Sequence, residues 1–298
     1  MRASVFLMFS ATGTGVPERI WRSAVLLLGV MLAVVMAAEA PRSILVHGHR
    51  GARAVRPENT LPAFEYAIAA GVDVLELDMA VTKDNVVVVS HDPLLHGPVC
   101  KGPEKEVAIH SLTLKQVKEW ECGVGNPGFP RQQVIPGTRI PTLDEVFALA
   151  PKGKFEFNIE TKIFADHPEL TPSPEDFVKL VLAEVKKHHL ESRVMLQSFD
   201  FRTLHAMKKI APEIRRVALY EGTPKDFVEI AKEADVKIVS PQYKLVTPEQ
   251  VAKAHAAGLL VVPWTADDPA DWDRLIAAKV DAIITDDPAA LIQHMRRG

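Results

Sequence analysis

The sequence predicts an α/β protein, a TIM (β/α)8 barrel with a small inserted subdomain after its second strand. Three observations predict it. From residue 43 onward, eight short β-branched runs alternate with amphipathic helical segments, the pattern of repeated βα units around a parallel sheet. Setting aside an N-terminal segment of about 40 residues leaves about 250, the usual length of such a barrel. One stretch interrupts the rhythm, residues 93–140, rich in Gly, Pro and charge. A structureless loop of that length is improbable inside a compact domain, so it reads as an insert. The alternative, a doubly wound open sheet, expects a Gly-rich phosphate turn after the first strand, and "HGHRG" has two glycines at the wrong spacing.

The chain opens differently from the rest. Arg19 and Arg22 precede an uncharged apolar run over residues 23–38, which is short for a transmembrane helix of roughly 20 residues. Small residues follow, Ala38-Glu39-Ala40, so residues 1–40 read as a secretory signal peptide or, uncleaved, an N-terminal anchor. The expected location is periplasmic or secreted, with membrane contact only through that segment. The barrel domain then spans 41–298.

Its eight strand runs are "SILVHG", "VDVLELDM", "KFEFNIET", "VMLQSF", "RRVALY", "VKIVSP", "LLVVPWT" and "DAIITD". Between them, "TLPAFEYAIAAG" places Leu61, Phe64 and Ile68 on one helical face, with Pro62 in the tolerant first turn and Gly71 as the stop. "SPEDFVKLVLAEVKKH", "TPKDFVEIAKEA", "TPEQVAKAHAAG" and "DPADWDRLIAAK" carry similar helix starts. The insert offers one helical piece, "LTLKQVKEWE", and both cysteines, Cys100 and Cys122. In an oxidising compartment these could close a loop worth about 3 kcal/mol, while the C-x2-C spacing of a zinc site is absent.

Of the 298 residues, 47% are hydrophobic and 24% charged, and the formal charge is -3, so nothing argues for a nucleic acid partner. Any basic site must be local. An eight-stranded barrel forms its active site at the C-terminal ends of its strands. There the sequence puts His47, His49 and Arg50 on the first strand; Glu76 and Asp78, on one face, on the second; and Glu160 and Lys162, likewise, on the third. Late strands offer Gln197, Trp264 and Asp286.

Three carboxylates aimed into one mouth demand compensating charge. Arg50 and Lys162 could supply it as a buried ion-pair network; a hard divalent cation, Ca2+ or Mg2+, meets the same demand with oxygen ligands. A hairpin signal around "TKDN" brings a second histidine into range. With Asp84 and Asn85 as a two-residue turn, Asp78 faces His91 across the hairpin. Two imidazoles beside basic residues suit acid and base catalysis on a phosphate ester, with Arg50 and Lys162 holding phosphate oxygens. His47, His110, His188, His189 and His205 read as structural. Arg53 and Arg56 read as solvent or rim charges, and Asn59 or Thr60 as the cap of the first helix.

The ordered set "GHRG", "PENT", "ELD", "HD", "ETK", then "QSF", "WT" and "TDDP", resembles the glycerophosphodiester phosphodiesterase family over residues 44–291. That resemblance implies a divalent cation and hydrolysis of glycerophosphodiesters to glycerol 3-phosphate and an alcohol. It implies His49 and His91 as the acid and base pair, Glu76, Asp78 and Glu160 as metal ligands, and Arg50 and Lys162 as phosphate ligands. Met79 stands where the family often has Val. Gln197 and Trp264 are expected to line the site. Two other functions stay open: a lysophospholipase D with an apolar groove lined by Phe129, Ile135, Phe164 and Trp264, and a non-catalytic phosphate-ester binding protein.

Overall fold

A computed structural model describes residues 44–297; residues 1–40, expected as a signal peptide or anchor, lie outside them. Numbered along the chain, β1 (Leu45–Gly48) and β2 (Val74–Val81) begin the barrel, β3 (Val87–Val89) folds back on β2, and β4 (Leu94–His96) and β5 (Glu106–Ala108) belong to the insert. The barrel resumes with β6 (Glu156–Thr161), β7 (Val194–Ser198), β8 (Arg215–Tyr220), β9 (Ile238–Pro241), β10 (Leu260–Val261) and β11 (Ala282–Thr285). Each of the eight predicted runs supplies one parallel strand, in the order β10-β9-β8-β7-β6-β2-β1-β11. β10 is short because Pro263, with no N–H, cannot continue its ladder. Across that seam Asp281 and Ile284 donate backbone N–H groups to Val261 and Pro263 at 2.9 Å, so the barrel is nearly closed.

Strand alternation sorts the side chains. On β2, Leu75, Leu77 and Met79 face the surrounding helices and join the main core, while Val74 joins a separate interior cluster with Met195, Val217, Ile238, Val262 and Ile284. Glu76 and Asp78 share Val74's face, two and four residues further toward the C-terminal mouth. The barrel interior is therefore apolar below and ionic above. The helices α1 (Leu61–Ala70), α2 (Leu114–Val117), α3 (Leu143–Phe147) and α4 (Pro174–Lys187) are followed by five more, α5 (Phe201–Ile210), α6 (Phe227–Ala234), α7 (Pro248–Ala256), α8 (Pro269–Ala277) and α9 (Pro288–Met295). α4 shows how they are set: Ser173 caps it, Pro174 opens it, and Phe177, Val178, Val181 and Val185 bury one face. The α1 cap is Thr60, and Gly71 closes that helix with φ 89. Among the described residues, no helix is long and apolar enough to cross a membrane.

The β2–β3 hairpin differs from the expected register. Val81 pairs with Val87 and Met79 with Val89, because Lys83, Asp84 and Asn85 form a three-residue turn. Asn85 takes φ 61, the left-handed position that closes such turns. The extra residue slides the pairing by one, so Ser90, not His91, donates its backbone N–H to Asp78. His91 reaches the mouth from the bend beyond β3 instead of from across the ladder.

The insert builds a small core of its own: Leu95, Ile109, Val117 and Trp120 pack with the disulfide-linked Cys100 and Cys122 against Ala80 and Val88 of the hairpin. The helical piece within it is a single turn, α2, closed by a capping box between Thr113 and Gln116.

Candidate active site

The turn after β1 starts the site. Gly51 sits at φ 85, and a Cβ there would lie 2.7 Å from the carbonyl carbon of Ala63 in α1, so only glycine lets the chain turn this tightly. Arg50, at φ 49, is thrown into the left-handed region, which aims its backbone N–H at Glu76 Oε2, 2.9 Å away. Its guanidinium reaches Glu58 Oε1 at 2.6 Å through Nη1, and Nε lies 3.2 Å from Asp78 Oδ2 without hydrogen-bond alignment. Asn59, also left-handed, donates to the same Asp78 oxygen at 2.9 Å, so it is a carboxylate ligand and not the helix cap.

From β2 and β6 come the three acids. Asp78 and Glu160 are register partners on adjacent strands, and Glu76 pairs with Asn158 one layer below. One oxygen each from Glu76, Asp78 and Glu160 lies within 4.8 Å of the others. Lys162 bridges two of them, 2.7 Å from Glu160 and 3.2 Å from Asp78. Gln197 donates to Glu76 Oε1 at 2.6 Å and accepts from Asn158 Nδ2 at 2.8 Å.

Four buried carboxylates, Glu58, Glu76, Asp78 and Glu160, thus face two cations, Arg50 and Lys162, and the groups respond unequally. Burial would raise Asp78, but Lys162 and Arg50 outweigh it and hold its carboxyl well below the usual range. Burial and the neighbouring Asp78 and Glu160 push Glu76 well above that range, outweighing the pull of Arg50. Burial lifts Glu160 to about 7, against Lys162 and with Asp78. The excess is two negative charges if all four ionise. A divalent cation at Glu76, Asp78 and Glu160 matches both that excess and the all-oxygen donor set of Ca2+ or Mg2+.

His49 and His91 both border the same cavity. His49 is buried, Nδ1 2.6 Å from Asp286 Oδ1 and Nε2 4.0 Å from Glu76 Oε2. Burial pulls its pKa down to about 4 against the upward pull of Asp286. His91 is half-buried, its Nδ1 2.8 Å from Asp92 Oδ1, and Asp92 Oδ2 lies 3.2 Å from His96 Nε2 on β4. The cavity, about 1060 Å³, continues past these groups along Ile163, Phe164, Leu170, Phe199, Leu219 and Trp264. Trp264 is fixed by its indole N–H on Ser240 O at 2.9 Å and an edge contact with Phe199.

Residues 49–290 match the Glycerophosphoryl diester phosphodiesterase family. The chain belongs to this family. A glycerophosphodiester phosphodiesterase of Caldanaerobacter subterraneus is 36% identical over 254 residues, covering 85% of this chain and 98% of its own. A crystal structure from Silicibacter pomeroyi, described under the same family name, superposes with a TM-score of 0.80 at 30% identity, over 87% of this chain and 95% of that one. A mouse lysophospholipase D is 26% identical over 277 residues, 82% of this chain and 83% of its own.

Within this phosphodiesterase chain, the expected His49, Arg50, Glu76, Asp78, His91, Glu160, Lys162, Gln197 and Trp264 all border one cavity. Some expectations about their surroundings need correction. Arg53 is not a free rim charge; it pairs with Asp286 through two hydrogen bonds of 2.9 and 2.8 Å. Phe129 and Ile135 do not line the cavity, and Phe129 lies under the Arg53 guanidinium. Glu58, Asn59, Asp92 and Asn158 escaped sequence reasoning. Two of them, Glu58 and Asn59, lie in the "PENT" letters that also mark the start of the first helix.

Proposed function

We propose that the protein is a metal-dependent phosphodiesterase hydrolysing glycerophosphodiesters to glycerol 3-phosphate and an alcohol. What carries the reading is convergence: two imidazoles, three carboxylates, a guanidinium and an ammonium from separate segments meet at one cavity. Glu76, Asp78 and Glu160 would hold the cation. When bound, it supplies a Lewis acid that lowers the nucleophile's pKa and withdraws phosphoryl charge. Arg50 and Lys162 hold the phosphate oxygens, for which each keeps donors beyond those used on the acids. One imidazole removes the proton of the attacking water, or of the glycerol 2-hydroxyl, whose cyclic phosphate product water then opens, and the other protonates the departing alcohol oxygen. Purified protein should release glycerol 3-phosphate from glycerophosphocholine, stop with EDTA and restart with Mg2+ or Ca2+. Release that ignores EDTA, or no release with either ion, would refute this reading.

A second reading, lysophospholipid cleavage, is favoured by the apolar wall from Ile163 to Trp264, which could take an acyl chain. Comparing kcat/KM on glycerophosphocholine and lysophosphatidylcholine separates the two. Export of the chain fits the Cys100–Cys122 disulfide, which persists in oxidising compartments. Cell fractionation with N-terminal sequencing tests it: a cytoplasmic chain would overturn export, and an uncleaved one in the membrane would mark an anchor.

A further inference from the structure

One buried cluster adjoins His49 at the edge of the site. Asp286 follows β11, and its Oδ1 lies 2.6 Å from His49 Nδ1. Arg53 grips the same carboxylate with both arms of its fork, Nε to Oδ1 at 2.9 Å and Nη2 to Oδ2 at 2.8 Å. Behind it, the Asp286 backbone N–H donates to Asp267 Oδ1 at 2.7 Å. The insert holds Arg53 in turn: the Phe129 ring lies 4.6 Å from its guanidinium carbon, and Gln132 donates to its backbone carbonyl at 2.7 Å.

An ionised carboxylate can only accept hydrogen bonds, so a 2.6 Å contact puts the proton on Nδ1 of His49. Nε2 is then the only nitrogen left to exchange a proton, and it is the one on the Glu76 side. A bidentate fork fixes the plane of the carboxylate as well as its distance, and the imidazole inherits that orientation. We propose that Asp286 and Arg53 are positioning residues for His49. Asp286 selects the Nδ1–H tautomer and ring plane, and Arg53, seated on Phe129, locks Asp286. The inference rests on the reading of His49 as a proton-transfer group. Arg53 borders the cavity as well, so the competing role is a direct phosphate ligand.

The test uses the full chain loaded with Mg2+, in Asp286→Asn, Arg53→Lys and Arg53→Met variants, with His49→Gln as reference. Proton–nitrogen correlation spectra of the histidine rings report the tautomer without turnover; the signals missing from His49→Gln belong to His49. Expected are an Nδ1–H pattern in the unsubstituted chain and its loss in Asp286→Asn. Loss of kcat by about 10²- to 10⁴-fold with KM within about threefold should accompany it, as when a triad carboxylate becomes an amide. Arg53→Met should lower kcat about tenfold and Arg53→Lys restore part of that, since an ammonium keeps charge without the fork. A persistent Nδ1–H pattern or unchanged kcat in Asp286→Asn overturns the inference, and a KM effect alone in Arg53→Met makes that residue a phosphate ligand. If His49→Gln itself turns over normally, the reading of His49 fails instead, whatever the tautomer.

Discussion

The two imidazoles at the mouth are held in opposite ways. His49 and its carboxylate Asp286 have side chains 9% and 4% exposed, while His91 and Asp92 are 34% and 41% exposed. The first pair stands on the ends of β1 and β11, adjacent strands of the barrel. The second stands on a bend after the hairpin and is steadied by His96 of the insert. The barrel therefore holds His49 in place, and the insert steadies His91. In the proposed reaction His49 would reach solvent only through the cavity, whereas His91 would also face bulk water.

The largest expected effect sharpens that contrast. His49→Ala and His91→Ala should each lower kcat by about 10²- to 10⁴-fold without unfolding the chain. Added imidazole should rescue His91→Ala in part, because its site is open, and leave His49→Ala inactive. Equal rescue of both, measured as kcat against imidazole concentration, would break the comparison.

Next come the partners of His91. Asp92→Asn and His96→Ala should lower kcat by no more than about tenfold, since half-exposed ion pairs are worth about 1 kcal/mol or less. A loss as large as that of His91→Ala would mean that Asp92 does more than steady the ring. The insert's covalent tie should matter less to rate and more to stability. Replacing Cys100 and Cys122, 22 residues apart, by Ser should cost about 3 kcal/mol by the loop-entropy estimate. Hydrogen exchange should show the loosening in residues 93–122 while β1 and β11 keep their protection. Uniform loosening would show that insert and barrel open together.

The barrel half was also the more legible in sequence. Its eight strands announce themselves as β-branched runs, and two-residue spacing puts Glu76 with Asp78, and Glu160 with Lys162, on inward faces wherever the strands begin. His91 depended on a turn, and two-residue and three-residue turns share the letters "TKDN", so the register slipped by one. The bend after β3 nevertheless brings His91 to the cavity. Arg53 and Asp286 are 233 residues apart, and no local pattern links them. Asn59 was hidden by a competing rule: it stands where a helix cap is expected, but Thr60 takes the cap and frees its amide for Asp78.

His47 gives the smallest effect on rate and isolates what a partner does for an imidazole. It shares a face of β1 with His49, two residues earlier, but lies in the apolar layer beside Val74 and Ile284, and its Nδ1 has no hydrogen-bond partner among the described residues. Burial, with Arg215 adding to it, lowers its pKa from 6.5 to about 3. Between those values the unfolded chain binds one more proton than the folded one, so His47 lowers stability as pH falls, by up to about 1.4 kcal/mol per unit. Replacing it by Leu should change kcat less than about twofold and flatten the fall in stability from pH 6 to 4. Denaturant unfolding at several pH values measures that slope. An unchanged slope would mean that His47 finds a partner or a proton in the folded state. A large loss of kcat would extend the reacting group below His49, into the barrel itself.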